Sequence, residues 1–344
     1  MSLIIKAITK LFSKLSVEKQ KNLIKELNKH LVPDNSNDTI TVLELKKEYQ
    51  KKEGIICPHC GSSEIVGYGK YRERNRYKCK KCFKTFNDLS GTPMSGTRMP
   101  DKWEKYINCM IEGLPLRKIA KELEFDLTTA FYWRHKILNA FRKINCVKLE
   151  GIIESDETFF LYSEKGKKEI RDRKPRKRGG KASKRGNSSE QVAVMTACDR
   201  QHGFIGEVSC LGRISSNNVK QILDGHIEPG STLCTDENRS YRKFAEENKL
   251  NHERINISKG QKIKNKIYHI QNINGYHSRL KKWIERFHGV ASKYLSNYLS
   301  WFRLLEKTKT SSKQLLELIK YSLQKDNYVT IPIITTGYTQ FMQT

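Results

Sequence analysis

Four cysteines form two closely spaced pairs in the N-terminal third of the sequence. Cys57-Pro-His-Cys60 is separated by 18 residues from Cys79-Lys-Lys-Cys82. Each pair can direct two sulfurs at one tetrahedral ion, so this spacing predicts a structural Zn²⁺ site with Cys57, Cys60, Cys79 and Cys82 as ligands. Two redox-active pairs are the alternative. The alternating pattern of residues 65–77 predicts a hairpin between the pairs, as in a zinc ribbon.

Acidic residues stand in two apolar segments, where charge is costly unless a metal ion or a partner compensates it. Residues 150–160 (EGIIESDETFF) are predicted to form a strand with acids near its middle, and residues 231–237 (STLCTDE) a short strand that ends in acids. Between them lie predicted strands at 191–199 and 203–214 and a helix over about 215–226. This order fits a ribonuclease H-like fold, whose site holds two divalent cations for phosphodiester chemistry.

The sequence resembles DDE-type insertion-sequence transposases with an N-terminal zinc ribbon, the insertion-sequence family fifteen-ninety-five. Three segments carry the catalytic pattern: SDET around Asp156, CTDENRSY around Asp236, and HIQNINGYHSRLK over 269–281. The block HGVASKYLSNYLSW (288–301) is similar to the family's C-terminal segment, and the resemblance spans about residues 50–305. It implies a DNA transposase that binds the ends of its own insertion sequence and catalyses metal-dependent strand cleavage and strand transfer.

The resemblance also implies the catalytic residues. The third catalytic position is Glu or Asn in that family, with a Lys seven residues later, and Asn274 and Lys281 match this spacing. Asp156, Asp236 and Asn274 are then the expected ligands of Mg²⁺ or Mn²⁺, and Lys281 could hold DNA phosphate near the metals. Glu285 is a rival third acid, but it lies about three helical turns, roughly 16 Å, beyond Asn274. Glu154 and Glu157 flank Asp156 on the opposite strand face or one step out of register, which makes them weaker candidates.

The charge of the chain favours a nucleic-acid partner. Its 65 Lys and Arg residues exceed its 37 Asp and Glu residues, which gives a net charge of +28, more than solubility requires. The expected partner is double-stranded DNA, both the terminal inverted repeats and the target, bound by a homo-oligomer. Segment 165–188 carries 12 Lys/Arg residues against two acids, and we expect it to wrap DNA and to become ordered only on binding. Four of its residues are candidate DNA contacts: Lys174, Arg176, Lys177 and Arg178.

Residues 101–145 are predicted to form three short helices that fit a helix-turn-helix. The segment divides at Gly113-Leu-Pro115 and near Asp126. Thr128 and Thr129, at the start of the third helix, would face the DNA groove. Arg134 and Lys136 follow on the same helix as further candidate contacts. An ordinary three-helix bundle with basic faces is the alternative.

The sequence therefore predicts a multidomain α+β and α/β protein. The predicted parts are an N-terminal helical region (1–50), a zinc ribbon (51–95), a helix-turn-helix (100–146), a ribonuclease H-like catalytic domain (147–310) with the basic insertion 165–188, and a C-terminal tail (311–344). No apolar run is long enough to span a membrane, and no signal peptide is evident. Unpaired cysteines suit a reducing compartment, so the expected location is the cytoplasm, at the nucleoid when bound to DNA.

Two other functions share these features. A sequence-specific DNA-binding regulator could carry the same N-terminal reader on an inactive ribonuclease H-like domain. A structure-specific nuclease would share the metals but would need no sequence reader. The acids and the lysine in their expected order favour the transposase over the regulator, and the helix-turn-helix argues against the nuclease.

Overall fold

A computed structural model of the chain describes residues 54–71, 74–142, 144, 148–170, 173–177, 179–256, 259–323 and 329–336, together with 12, 15, 16 and 18–20. The chain divides into two compact units, residues 1–48 and 49–344. The helical region predicted for 1–50 lies almost wholly outside the described residues. Within the described part of the chain, no helix is long and apolar enough to cross a membrane.

The segment with the paired cysteines folds as a small antiparallel sheet. Its strands, in spatial order, are β1 (Ile65–Tyr71), β2 (Arg74–Cys79) and β3 (Thr85–Asn87). β1 and β2 form the predicted hairpin, with Tyr71 opposite Arg74. The buried core of this sheet consists of Cys57, Cys79 and Phe86. So small a core needs a staple to be stable, and two of its three members are cysteines.

Three helices follow the small sheet, as predicted. They are α1 (Trp103–Ile111), α2 (Leu116–Glu122) and α3 (Leu127–Arg142). The apolar residues of α1 recur at helical spacing and are fully buried: Trp103, Tyr106, Ile107 and Met110. Gly113, with φ of +71°, follows the end of α1, and Pro115 precedes the first residue of α2. These two residues set the break between the helices.

The interpretation of Arg134 as a DNA contact is wrong. Arg134 is only 1% exposed, and its Nη2 donates to the carbonyl oxygen of Leu114 at 2.6 Å. Its guanidinium also lies over the rings of Phe287 and Trp301, at 5.4 and 5.2 Å from their centroids. The side chain therefore joins the turn before α2 to elements distant in sequence, and its guanidinium is directed into the protein.

The largest sheet has five strands in the spatial order β6-β5-β4-β7-β8. Their bounds are β4 (Ile152–Leu161), β5 (Gln191–Asp199), β6 (Phe204–Leu211), β7 (Thr232–Thr235) and β8 (Asn251–Arg254). β4, β5 and β6 are antiparallel neighbours, whereas β4, β7 and β8 run parallel. β4, β5, β6 and β7 follow one another along the chain in the order expected from sequence. β8 was not predicted, because its four residues, Asn251 to Arg254, are polar and lack the strand pattern.

Helices cover both faces of this sheet. On one face, α4 (Ser216–Leu223) and α5 (Ser240–Glu247) pack on a core that includes Ile153, Met195 and Leu233. On the other face, α6 (Gln271–Glu285) packs through Ile273 on Cys234 and Ile255. Ile152 belongs to the second cluster and Ile153 to the first, as the two-residue period of a strand requires.

Part of the segment predicted as a C-terminal tail is helical. After α7 (Leu295–Thr308), the chain forms α8 (Gln314–Ser322) and α9 (Ile331–Thr336). α7, α8 and α9 all contact α3, and α8 also contacts α1. The indole nitrogen of Trp103 in α1 lies 3.5 Å from the hydroxyl of Ser322 at the end of α8. The described part of 311–344 is thus a component of the helical core around α3.

Candidate active site and metal centre

The four predicted zinc ligands converge on one point. The Sγ atoms of Cys57 and Cys82 lie 3.6 Å apart, as do those of Cys60 and Cys79. All four sulfurs lie within 4.8 Å of one another. A tetrahedral ion with Zn–S distances of about 2.3 Å would place its sulfurs about 3.8 Å apart. The cluster therefore has the size of a four-thiolate metal centre and could bind an ion.

Backbone amides favour the thiolate form of Cys79 in this cluster. The N–H of Cys82 donates to Sγ of Cys79 at 3.5 Å, and the N–H of His59 donates to Sγ of Cys57 at 3.4 Å. Hydrogen bonds from the backbone of Cys82 and Lys81 lower the pKa of Cys79 to about 6 despite its burial. A thiolate is the form of cysteine that binds a metal ion.

The carboxylate of Glu154 joins strand β4 to the first turn of α6. Its Oε2 accepts hydrogen bonds from the backbone N–H groups of Asn272 (2.8 Å) and Ile273 (3.1 Å), and its Oε1 accepts one from Nδ2 of Asn272 (2.9 Å). Arg200 and His269 lie 2.9 and 3.3 Å from the same Oε1. Glu154 is 1% exposed, so a buried carboxylate caps α6 at its positive end.

The register between β4 and β7 brings the two predicted catalytic aspartates together. Ile152 pairs with Thr232 and Glu154 with Cys234. The same register continued by two residues places Asp156 beside Asp236, the first residue after β7. Neighbouring parallel strands lie about 4.8 Å apart. The two half-buried carboxylates therefore share one edge of the site.

Burial disfavours the charged form of both acids in the middle of β4. It raises the pKa of Asp156 to about 6, with a further contribution from the charge of Asp236, while Lys281 opposes the shift. Burial likewise raises the pKa of Glu157 to about 7, assisted by the charges of Asp156 and Asp236. Raised pKa values of this kind are typical of buried carboxylates that have no positive charge next to them.

Asn274, His277 and Lys281 share one face of α6, because their spacing of three and seven residues brings them close to one line along the helix. The Nδ1 of His277 lies 3.8 Å from Oδ2 of Asp156, and its Nε2 lies 2.6 Å from Oγ1 of Thr196. Asn274 and Lys281, one turn to either side, are exposed. Because His277 lies close to Asp156, the face of α6 that carries Asn274 and Lys281 is on the same side of the helix as Asp156. Glu285, the rival acid, is exposed at the last residue of the helix.

The proton positions around His277 follow from its neighbours. Thr196 donates its hydroxyl proton to the carbonyl oxygen of Asp156 at 2.9 Å, so the Nε2–H of His277 must donate to Thr196. Burial, assisted by the charge of Lys281, lowers the pKa of His277 to about 4. The ring is therefore neutral at pH 7, and the lone pair of its Nδ1 faces Asp156.

Sequence reasoning missed the supporting roles of three residues: Glu154, Glu157 and His277. Glu154 lies two residues before Asp156, so the two-residue period of a strand places it on the same face, and the expectation of an opposite or misaligned position was wrong for it. Glu157 does point to the other face. There its Oε1 accepts from Nδ2 of Asn238 at 3.1 Å, and the backbone N–H of Asn238 donates to Oδ1 of Asp236 at 2.9 Å. His277 could have been found from its helical spacing to Asn274.

Some of the predicted DNA contacts are exposed, and others are directed into the protein. Thr128, Lys174 and Lys177 are exposed and Thr129 is half-buried, whereas Arg178 lies outside the described residues. Lys136 instead donates from its Nζ to the carbonyl oxygen of Ser95 at 3.1 Å, and burial lowers its pKa. Its ammonium group is thus directed into the protein.

Arg176 and the basic insertion around it are held by internal hydrogen bonds. Nη1 of Arg176 donates to the carbonyl oxygen of Tyr162 at 2.6 Å. The carboxylate of Glu190 accepts from the backbone N–H groups of Ser183 and Lys184 at 2.6 and 3.1 Å. Arg176 therefore has a structural partner within the protein, and ordering of the insertion on DNA stays a prediction.

Comparison with known proteins finds similarity to transposable-element proteins. Residues 148–303 match the ISXO2-like transposase domain, the DDE type of the IS1595 family. An uncharacterized protein in transposable element ISH50 of Halobacterium salinarum is 26% identical over 258 residues, which cover 74% of this chain and 85% of that protein. Residues 148–303 are thus similar to an ISXO2-like transposase domain, and the matches support the function of a DNA transposase.

Solved structures of Mos1 transposase complexes are also similar, at a lower level. A pre-cleavage Mos1 transpososome matches with 13% identity and a TM-score of 0.20, covering 66% of this chain and 79% of that one. The Mos1 strand transfer complex matches with the same identity and TM-score over 64% of this chain and 78% of that one. The identification rests on the domain match and the transposable-element relative, not on these structures.

The purified protein should contain one zinc ion per chain. Replacing a ligand (Cys60→Ser or Cys79→Ser) should lower the zinc content and the thermal stability, because the small sheet has almost no core of its own. Cys210→Ser, outside the cluster, should keep the metal. Elemental analysis and thermal unfolding measure both effects. Folded wild-type protein with a zinc content near zero would show that the cluster is not a zinc site.

Glu154→Gln should loosen the first turn of α6. The amide keeps the size of the side chain, but it removes the charge that compensates Arg200 and replaces one acceptor oxygen by a donor. We expect the free energy of unfolding to fall by about 2 kcal/mol and the amides of Asn272 and Ile273 to exchange faster with solvent. Hydrogen exchange measures this directly. Glu150→Gln, an exposed acid just before the same strand, is the matched control, and equal exchange in the two variants would contradict the anchoring role.

Proposed function

We propose that this transposase binds the ends of its own insertion sequence and catalyses metal-dependent cleavage and transfer of DNA strands. The observation that carries the proposal is the parallel register of β4 and β7, which, continued by two residues, would set Asp156 beside Asp236. The strand order β6-β5-β4-β7-β8 supports a ribonuclease H-like catalytic domain over residues 147–310.

The donor set suits Mg²⁺ or Mn²⁺. Asp156 and Asp236 offer carboxylate oxygens and Asn274 a neutral carbonyl oxygen, and hard cations prefer oxygen ligands. Burial and the charge of Asp236 disfavour ionisation of Asp156, and a cation would offset both effects. When bound, a pair of such ions activates the attacking oxygen and stabilises the leaving oxygen of a phosphodiester.

The protein's own groups orient this site. Glu154 fixes the start of α6, and the N–H of Asn238 holds one oxygen of Asp236. Neutral His277 presents a lone pair rather than a positive charge to Asp156, so it does not compete with a cation for the carboxylate. Lys281 is exposed on the same face of α6, where its ammonium could hold a DNA phosphate near the acids.

The N-terminal parts supply the DNA reader in this proposal. We assign a Zn²⁺-bound ribbon to residues 51–95 and a helix-turn-helix to residues 100–146, with exposed Thr128 and half-buried Thr129 in the first turn of α3. Lys174 and Lys177 of the basic insertion would contact phosphates of double-stranded DNA. Because both ends of an element must be joined, the active form is a homo-oligomer on terminal repeats and target DNA, at the host nucleoid.

The proposal is tested with linear DNA that carries the element's own ends. In Mg²⁺ or Mn²⁺, the wild-type protein should nick the ends and join them to a target, both visible on a gel. Asp156→Asn and Asp236→Asn should lower both reactions by about a thousandfold or more while end binding persists. Glu237→Gln, an exposed acid next to Asp236, is the matched control. End binding without any cleavage by the wild-type protein would instead identify a DNA-binding regulator.

A second comparison tests the third ligand. Asn274→Ala should lose activity, whereas Asn274→Glu should keep activity or shift its preference between Mg²⁺ and Mn²⁺, because a charged oxygen then replaces a neutral one. Glu285→Ala, three turns further along α6, should cleave at the wild-type rate. Cleavage assays in each metal measure the effect. An inactive Glu285→Ala together with a fully active Asn274→Ala would show that the third ligand is Glu285.

A further inference from the structure

A cleft of about 630 Å³ lies beside the first two turns of α6 and is not part of the carboxylate site. Its walls come from the turn between β5 and β6, from α6 and from the end of α7. Five cationic side chains line it, against two acidic ones, Asp199 and Glu306. The cations are Arg200, Arg279, Arg303, Lys307 and Lys309. Arg200 pairs with Glu154, and Arg279 and Lys309 pair with Glu306, so the cleft keeps a smaller net positive charge that suits an anion.

The cleft and the catalytic residues occupy different flanks of the same helix. At 100° per residue, Gly275 and Arg279 are rotated roughly 100–160° from Asn274 and Lys281. Gly275 and Arg279 line the cleft. The helix with its side chains is about 10 Å across. A DNA strand with a phosphate every 3.4 Å along the axis would pass from one flank to the other within about three nucleotides.

Gly275 leaves space for a close approach to the backbone of α6. A Cβ at this position would meet only Nη1 of Arg279, at 3.4 Å, which is ordinary contact. The protein's own packing therefore does not require glycine here, although glycine in a helix costs about 1 kcal/mol relative to alanine. A ligand that approaches the helix at this point would explain why the position carries no side chain.

A polar group of the neighbouring residue is also unused. The hydroxyl of Tyr276, beside Gly275 and among the residues that line the cleft, is buried and has no hydrogen-bond partner among the described residues. Its ring stacks on Phe204, with centroids 3.8 Å apart, and the guanidinium of Arg279 lies 6.0 Å from its centre. The base of the cleft is thus an aromatic surface beside the guanidinium of Arg279, which is 51% exposed and pairs with Glu306 at 2.7 Å.

We propose that this cleft binds phosphates of the DNA backbone on the flank of α6 opposite Asn274. The inference rests on the proposed function, since it assumes that DNA crosses the start of α6. It adds a contact that lies outside the ribbon, the helix-turn-helix and the basic insertion. DNA is favoured over a free anion because the cations extend along α7, from Arg303 to Lys309, and do not converge on one point.

The test measures binding of a duplex with the element's end to the full-length protein over a range of salt concentrations. Lys307→Gln should lower the affinity several-fold and reduce the slope of log K against log salt by about 0.9, the value for one phosphate contact. Lys320→Gln removes the same charge from an exposed lysine on α8 and should leave both quantities unchanged. Equal slopes for these two variants would overturn the proposal.

Gly275→Ala gives a second, independent result. Alanine should raise the thermal stability, since it favours the helix and meets no clash, yet it should weaken DNA binding roughly tenfold by blocking the approach to the backbone. Unchanged affinity in a stabilised variant would contradict the proposal. If the wild-type protein binds no DNA at all, the proposed function fails as well. If it binds normally and only the cleft variants are without effect, the cleft proposal alone is wrong.

Discussion

The carboxylate of Glu154 is the interaction on which the catalytic face depends. A carboxylate buried without partners would be protonated or would destabilise the fold, so its position requires hydrogen-bond donors. Two backbone amides and one side-chain amide at the start of α6 supply them, and Arg200 and His269 balance the charge. Because Asp156 lies two residues further along β4 and Asn274 one residue beyond the amides, this one group fixes the distance between strand and helix.

The two faces of β4 support the site by different means. On the face of α6, Glu154 positions the helix. On the face of α5, Glu157 holds Asn238, whose backbone in turn holds Asp236. The hydroxyl of Tyr241, fully buried in α5, lies 3.4 Å from Ser155 in the same layer. β4 thus orients the two aspartates by different means. Its own register positions Asp156, whereas Glu157 on the opposite face positions Asp236 through Asn238.

Patterns of contiguous residues predicted the features of this protein that depend on neighbouring residues alone. The spacing of the cysteine pairs, the hairpin between them and the order of the first four strands of the sheet all follow from contiguous residues. The role of Glu154 did not follow, because the strand period gives the face of a residue and not the helix that covers it. Arg134 was misread for the same reason: its partners, Phe287 and Trp301, lie far along the chain and turn a basic helical residue into a core residue. Arg176 resembles its exposed neighbours in sequence, and only the fold reveals the carbonyl group that it contacts.

The contact between Trp103 and Ser322 has a consequence for biosynthesis. The two residues are 219 positions apart, and α8 covers α1 and contacts α3. A ribosome that adds about 5–20 residues per second needs roughly 10 to 45 s to travel that distance. During this interval the apolar side of α1 is not covered by α8, because α8 has not yet been synthesised. The helices proposed to read DNA are therefore among the first to be made and among the last to be completed, so a nascent chain must finish most of its catalytic domain before its reader acquires its final packing.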